Sequence, residues 1–130
     1  SLSSDGNRMA IGAPYYDGSG SDSWSLGMVS VYEWYDSYWK QLGENIVGQK
    51  NGEYSGYSVS LSSDGKRVAI GSPWFSSDAH LDNLSVGRVS VYEWDDSSWV
   101  KAEASYWQIS ARYWDPVRSD IPGFEKNPLP

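Results

Sequence analysis

Positions 1–14 read SLSSDGNRMAIGAP, and positions 60–73 read SLSSDGKRVAIGSP. A second block, GMVSVYEWYDSYW at positions 27–39, likewise returns as GRVSVYEWDDSSW at positions 87–99. Self-similarity at this spacing marks a supersecondary unit that stacks against copies of itself, because one unit cannot bury its own apolar faces. The chain therefore contains two consecutive repeats. Because it begins inside a repeat, we expect it to be a fragment of a longer array.

Each complete repeat predicts four short strands in a meander. The Asp-Gly pairs at 5–6 and 64–65 indicate hairpin turns, since glycine there tolerates a left-handed backbone. Apolar and small polar residues alternate in the flanking segments, and no helical periodicity of useful length occurs. In the second repeat the predicted strands are 57–62, 67–71, 87–94 and 99–102. The polar, glycine-rich segment 43–52 is interpreted as the connector between repeats.

Four-stranded meanders that repeat at this length are typical of β-propeller blades. The predicted fold is all-β, a partial β-propeller of somewhat under two blades. The second repeat carries GYSV at 56–59, AIGSP at 69–73 and GRVSVY at 87–92, and the first carries AIGAP at 10–14. In these motifs the chain resembles the FG-GAP repeats of integrin-α-type β-propellers, in the Ser-Leu-Ser-Ser-Asp-Gly-rich variant of large extracellular or surface proteins.

The resemblance covers residues 1 to about 104 and implies a domain organisation. A first FG-GAP-like repeat without its first strand spans 1–55, and a second spans 56–104. The segment 105–130 departs from the pattern and is expected to be a divergent cap or a disordered tail. The resemblance also implies an extracellular or cell-surface location and a non-enzymatic role in adhesion or recognition.

The chain departs from the family pattern at the calcium loop. The family's Asp-x-Asn-x-Asp-Gly-x-x-Asp run is reduced here to Ser-Ser-Asp-Gly, and the three residues that follow it contain Arg8 or Arg67 and no aspartate. Calcium needs about six to eight oxygen ligands, and a cation in place of a carboxylate opposes its binding. Ser55 also replaces the family's phenylalanine, which removes an apolar anchor. The resemblance therefore implies the fold without that calcium site.

One loop of the first repeat could wrap a cation weakly. It offers oxygen atoms at alternating positions, from Asp17, Ser19, Ser21 and Asp22. The alternative is a solvated loop, because glycine, serine and aspartate are the residues that exposed turns use. No cofactor is predicted, apart from calcium at this loop.

No residue set predicts catalysis. His80 is the single histidine, the chain has no cysteine, and no nucleophile with an orienting partner is identifiable. Glu33 and Glu93 could form a carboxylate pair for glycoside hydrolysis, but they recur at equivalent positions, as structural residues do. Arg8 and Arg67 recur in the same way, and we expect each to pair with an acidic residue of its own or the adjoining repeat.

Aromatic residues are the candidates for binding. Trp34, Trp39, Trp94 and Trp99 recur between the repeats and predict packing between blades. Other aromatic residues lie in or beside the long loops without recurring strictly, and rings in such loops give large contact area at low entropic cost. These candidate ligand-binding residues are Tyr15, Tyr16, Trp24, Trp74 and Phe75.

The net charge of −7 argues against nucleic acid as a partner, since phosphate neutralisation needs clustered Lys and Arg. No apolar run approaches the ~20 residues of a membrane span, so no membrane insertion is expected. The expected partners are a protein or glycan ligand, and either further blades of the same full-length chain or other copies of it. The alternative function is a fragment of a carbohydrate-active propeller, either a lectin or a glycoside hydrolase.

Overall fold

The computed structural model describes residues 1–76 and 86–102, which form eight β-strands and no helix. The first four strands are β1 (Arg8–Ala13), β2 (Met28–Tyr35), β3 (Tyr38–Gln41) and β4 (Ile46–Val47). The last four are β5 (Ser58–Leu61), β6 (Arg67–Ser72), β7 (Arg88–Trp94) and β8 (Trp99–Lys101). The all-β prediction is confirmed. In the described ranges no helix is long and apolar enough to cross a bilayer.

The strands form two antiparallel sheets of four strands each. The second sheet is an uninterrupted meander, β5-β6-β7-β8, as the sequence predicts. The first sheet has the order β1-β2-β3, and its missing first strand is represented by a single bridge between Leu2 and Met9. Neither sheet closes on itself, which agrees with part of a propeller-like array.

The first sheet differs from the prediction in its fourth strand. The segment 43–52, interpreted as an irregular connector, contains β4, in which Ile46 and Val47 pair with Val29 and Met28 of β2. Ile46 is buried in the common core, and this burial explains why two residues of a polar segment join the sheet. The connector therefore adds to the sheet of the first repeat before it reaches the second.

The core lies between the two sheets. Ala10 opposes Val31 across the β1–β2 pair, so their side chains share one face of the first sheet with Val29. Leu61 opposes Val68 across the β5–β6 pair in the same way. These side chains form one buried cluster with Ile46 and Ile70. One face of each sheet is thus covered by its neighbour, and this burial is what joins the two repeats.

Polar contacts at the edge of the core hold the two repeated turns side by side. The Ser4 backbone N–H donates to the Ser63 carbonyl at 2.9 Å, and the Leu61 N–H donates to the Ser1 hydroxyl at 3.0 Å. Arg8 donates from Nη1 to the Gly65 carbonyl at 3.0 Å. Each contact joins a residue of the first copy of the repeated stretch to one of the second copy.

Arg8 and its equivalent also form ion pairs within their own sheets, as predicted. Arg8 lies 3.0 Å from Glu33 across the β1–β2 pair, and Arg67 lies 2.9 Å from Glu93 across the equivalent β6–β7 pair. The recurring acidic residues are therefore structural partners of the recurring arginines. They do not form a pair with each other.

The recurring tryptophans pair across the second hairpin of each repeat. The ring centroids of Trp34 and Trp39 are 5.4 Å apart, and those of Trp94 and Trp99 are also 5.4 Å apart. Trp99 donates from its indole nitrogen to the Leu42 carbonyl at 2.9 Å, which confirms packing between repeats for the second pair. The first pair is exposed.

The Asp-Gly turns adopt the predicted geometry, with φ of 72° at Gly6 and 69° at Gly65. The Asp64 carboxylate accepts hydrogen bonds from the Lys66 N–H at 2.9 Å and the Ser62 hydroxyl at 2.7 Å. These bonds, the first the larger cause, lower the pKa of Asp64 from its ordinary value of 3.8. The ionised side chain therefore stabilises the turn.

We expect this carboxylate to make stability depend on acid pH. The pKa of the Asp64 carboxyl group is lower in the folded state than in the unfolded state. Its ionised form therefore stabilises the fold above about pH 4, and this stabilisation is lost as the pH falls through the folded-state pKa. Asp64→Ala should lower the urea midpoint at pH 7. The variant should also show a smaller difference in urea midpoint between pH 7 and pH 3 than the wild type does. Asp22→Ala is the control, because its described hydrogen bond uses the backbone carbonyl. Equal effects of the two substitutions on the urea midpoint would contradict the conclusion that the Asp64 carboxylate stabilises the turn.

Several sequence expectations concern residues outside the described ranges. His80 lies in 77–85, and the divergent segment 105–130 lies beyond residue 102. These expectations stay predictions.

Candidate functional site

An open cleft of about 590 Å³ lies where the loops of the two repeats meet. We call it the aromatic cleft, because five aromatic side chains dominate its described lining. Its described residues are Tyr15, Trp24, Asn51, Gly52, Tyr54, Tyr57, Trp74 and Ser76. Among them no side chain is charged at neutral pH. The cleft therefore offers ring faces, hydroxyl groups and an amide to a ligand.

Two of the rings occupy equivalent positions in the two repeats. The equivalent strands β1 and β6 are each followed by a Pro-aromatic-aromatic segment, which begins at Pro14 or Pro73. The Tyr16 N–H donates to the Ala13 carbonyl and the Phe75 N–H to the Ser72 carbonyl, both at 3.2 Å. Proline at the second position of such a turn presets its φ, so the ring at the third position is held at the sheet edge. This is how Tyr15 and Trp74 come to lie on the same side of the molecule.

Tyr54 joins these two rings into a continuous series. Its centroid lies 5.5 Å from that of Tyr15 and 5.1 Å from that of Trp74, in edge-to-face geometry. Tyr57 extends the series, with its centroid 5.2 Å from that of Trp74. Edge-to-face pairs at these separations add about 0.5–1.5 kcal/mol each beyond area burial. The rings thus fix one another before any ligand arrives.

The backbone at Tyr54 is in an uncommon conformation. Its φ is 54°, in the left-handed region that few residues other than glycine adopt. The Tyr54 N–H donates to the Ser25 carbonyl at 3.1 Å, and the Tyr57 N–H donates to the Tyr54 carbonyl at 3.1 Å. The surrounding bonds therefore hold a backbone geometry that costs free energy, as is common at binding sites.

Trp24 closes the other side of the cleft. Its six-membered ring lies against Gly52, where an added Cβ would meet ring atoms. The Gly52 N–H donates to the Trp24 carbonyl at 3.0 Å, and the Trp24 N–H donates to the Asn51 side-chain oxygen at 3.2 Å. One part of the ring therefore packs against backbone, while Trp24 as a whole is still more than half exposed.

A buried ionic cluster lies beside the cleft. Glu53 is fully buried, and its Oε1 accepts from Arg88 Nη2 at 3.1 Å. The Arg88 guanidinium also lies 4.1 Å from the centroid of the Phe75 ring and donates to Gln49 at 2.9 Å. Glu53 directly precedes Tyr54, so this ion pair anchors the connector to β7. It fixes the segment that carries the rings of the cleft.

The structure brings together three of the five predicted aromatic residues, Tyr15, Trp24 and Trp74. Tyr16 lies outside the cleft lining, and Phe75 is buried under the Arg88 guanidinium. Sequence reasoning missed Tyr54 and Asn51 as lining residues, and it missed Tyr57, which lies at the start of the predicted strand 57–62. The signal that could have identified them is the pair of tyrosines that flanks Ser55-Gly56.

The loop proposed for calcium folds back on itself. Asp17 accepts the Ser25 N–H at 2.8 Å, which uses one carboxylate oxygen in a loop bond. Within residues 1–76 and 86–102 no group of three acidic or histidine side chains is arranged to hold a metal ion. Calcium binding by Asp17, Ser19, Ser21 and Asp22 stays a prediction.

No model of a known protein family matches this chain, and no curated protein is significantly similar to it in sequence.

Proposed function

We propose that this protein is a non-enzymatic recognition module that binds a partner through the aromatic cleft. The observation that supports this most directly is the series of rings from Tyr15 through Tyr54 and Trp74 to Tyr57, which is ordered by mutual contacts. Rigid aromatic groups that remain accessible are the usual anchors of binding surfaces, because little side-chain entropy is lost when they are covered.

The chemistry of the lining favours an uncharged ligand. Its described side chains contribute rings, hydroxyl groups and one amide, and that amide is already engaged. Asn51 accepts from the Trp24 N–H and donates to the Asp22 carbonyl at 2.8 Å. A proline-rich segment of a partner protein suits such a surface, because extended polyproline helices dock in grooves lined by aromatic residues. The resemblance to FG-GAP repeats supports a secreted or cell-surface setting for this recognition.

A lectin is the second candidate. The observation that favours it is Trp24, whose ring is backed by Gly52 and more than half exposed. A flat and exposed ring suits the apolar face of a neutral sugar ring. The two candidates share the cleft and differ in the class of ligand.

The experiment uses wild-type protein on an array of proline-rich peptides and an array of neutral oligosaccharides. Replacing Trp74 by alanine should weaken binding to the best probe by about tenfold or more, since it removes the ring that contacts both Tyr54 and Tyr57. Tyr38→Ala is the matched control, because Tyr38 is an exposed aromatic residue outside the cleft. The array that binds decides between the two ligand classes.

Two results would count against the proposal. One is wild-type protein that binds neither array. The other is an equal loss of affinity in the Trp74→Ala and Tyr38→Ala variants, because this would place the contact outside the aromatic cleft.

A further inference from the structure

The two repeats have nearly the same sequence but differ in which of their faces is covered. Leu61 and Ile70 are 8% and 1% exposed, whereas their equivalents Leu2 and Ile11 are 59% and 47% exposed. The first sheet covers Leu61 and Ile70 of the second sheet. Leu2 and Ile11 lie on the matching face of the first sheet, which no described residue covers in the same way. We call this face the first-sheet outer face.

The opposite end of the molecule shows the complementary difference. Val29 is buried in the core, whereas its equivalent Val89 is exposed. The arginines differ in the same sense, because the Arg8 side chain is 17% exposed and that of Arg67 is 66% exposed. Val89 pairs with Gly71 in the register, as Val29 pairs with Gly12, so both valines lie on equivalent faces. We call the face that carries Arg67 and Val89 the second-sheet outer face.

We propose that copies of this chain associate head to tail, with the second-sheet outer face of one copy against the first-sheet outer face of the next. The contact between the two sheets inside the chain is the template, because its two surfaces recur at the two outer faces. The occupant of each outer face is therefore a second copy of this chain, in the arrangement that the two repeats already adopt.

The template specifies the polar contacts of this interface. Arg8 donates to the Gly65 carbonyl within the chain, so Arg67 of one copy donates to the Gly6 carbonyl of the next. The Ser4 N–H donates to the Ser63 carbonyl, so the Ser63 N–H of one copy donates to the Ser4 carbonyl of the next. In the apolar part of this interface, Val89 of one copy packs against Leu2 and Ile11 of the next.

Such an interface uses two different surfaces of each copy. Association of this kind does not stop at a dimer, because every added copy presents a fresh outer face. It gives closed rings when the rotation between copies closes and filaments when it does not. A two-fold symmetric dimer, by contrast, buries the same surface on both copies.

The test replaces one exposed apolar residue on each outer face by lysine. Wild-type chain in sedimentation velocity should give species larger than a dimer. Ile11→Lys and Val89→Lys should each give monomers alone, since every interface needs both faces. A mixture of the two variants should give a one-to-one heterodimer and nothing larger, because only one intact pair of faces remains. Formation of that heterodimer also shows that both variants are folded.

Three results would overturn the proposal. Wild-type chain that stays monomeric at its highest soluble concentration would assign the outer faces to further repeats of a longer polypeptide. Association that survives Val89→Lys would indicate an interface through the first-sheet outer face alone. Monomeric variants that fail to associate when mixed would exclude the head-to-tail pairing of these two faces.

Discussion

Replacing Glu53 by glutamine is expected to lower the free energy of unfolding by about 3–5 kcal/mol, because the substitution leaves the charge of Arg88 buried without its partner. The Arg88 side chain is almost fully buried, and its Nε already lacks a hydrogen-bond partner. Glutamine keeps the shape of glutamate, so the loss of unfolding free energy measures the effect of removing the negative charge. Urea unfolding followed by tryptophan fluorescence measures it.

The chain supplies a matched control for this substitution. Glu93→Gln removes the same kind of ion pair, with Arg67, where both side chains are about half exposed or more. Exposed pairs contribute about 0–1 kcal/mol, so this variant should unfold close to wild type. The double variant Glu53→Gln/Arg88→Met should recover much of the loss, since methionine is the residue at the equivalent position 28. Equal effects of the two single glutamine variants would refute the argument.

The second large effect is expected at Gly27, which precedes β2. Its φ is 76°, and an added Cβ would clash with backbone atoms of Ser55. Left-handed backbone costs a residue with a Cβ about 1–2 kcal/mol, and a clash with backbone adds about 1–3 kcal/mol. We therefore expect Gly27→Ala to destabilise the fold by about 2–5 kcal/mol in urea unfolding.

Gly87 separates these two contributions. It is the equivalent of Gly27 in the second repeat and has a similar φ of 70°, but among the described residues the nearest atom to an added Cβ is the Pro73 carbonyl oxygen at 3.3 Å. Gly87→Ala should therefore cost only the backbone strain. Because Ser55 follows Tyr54, Gly27→Ala should also change the near-ultraviolet circular dichroism of the ring series, and Gly87→Ala should not. The same loss of stability in both variants would show that the clash is relieved without cost.

These two predictions concern the same segment, residues 49–57. This segment carries Glu53 to its ion pair with Arg88 and then presents Tyr54 and Tyr57 to the aromatic cleft. Stability and the proposed recognition are therefore expected to be coupled there. A variant that loosens Glu53 should also weaken binding in the cleft, although it contacts no ligand.

The aromatic cleft shows how far sequence reasoning reaches for the candidate site. Tyr15, Trp24 and Trp74 were recognisable as candidates because they are large rings in loops. Their convergence was not recognisable, since Tyr15 and Trp74 are 59 positions apart and meet only through Tyr54. Phe75, like its neighbour Trp74, is a large ring beside a long loop. It occupies the next position of the turn, however, and its side chain is buried there.

By itself the sequence determined the class of fold, the positions of the strands other than β4, and the Asp-Gly turns. These depend on short-range rules, namely the alternation of side chains along a strand and the backbone freedom of glycine, which repeat wherever the residues repeat. Tertiary structure alone decided which copy of each residue is buried. Ile11 and Ile70 have almost the same local sequence, yet one is exposed and the other is in the core. The reason is that burial depends on the neighbouring sheet: among the described residues the first sheet covers Ile70, whereas no sheet covers Ile11.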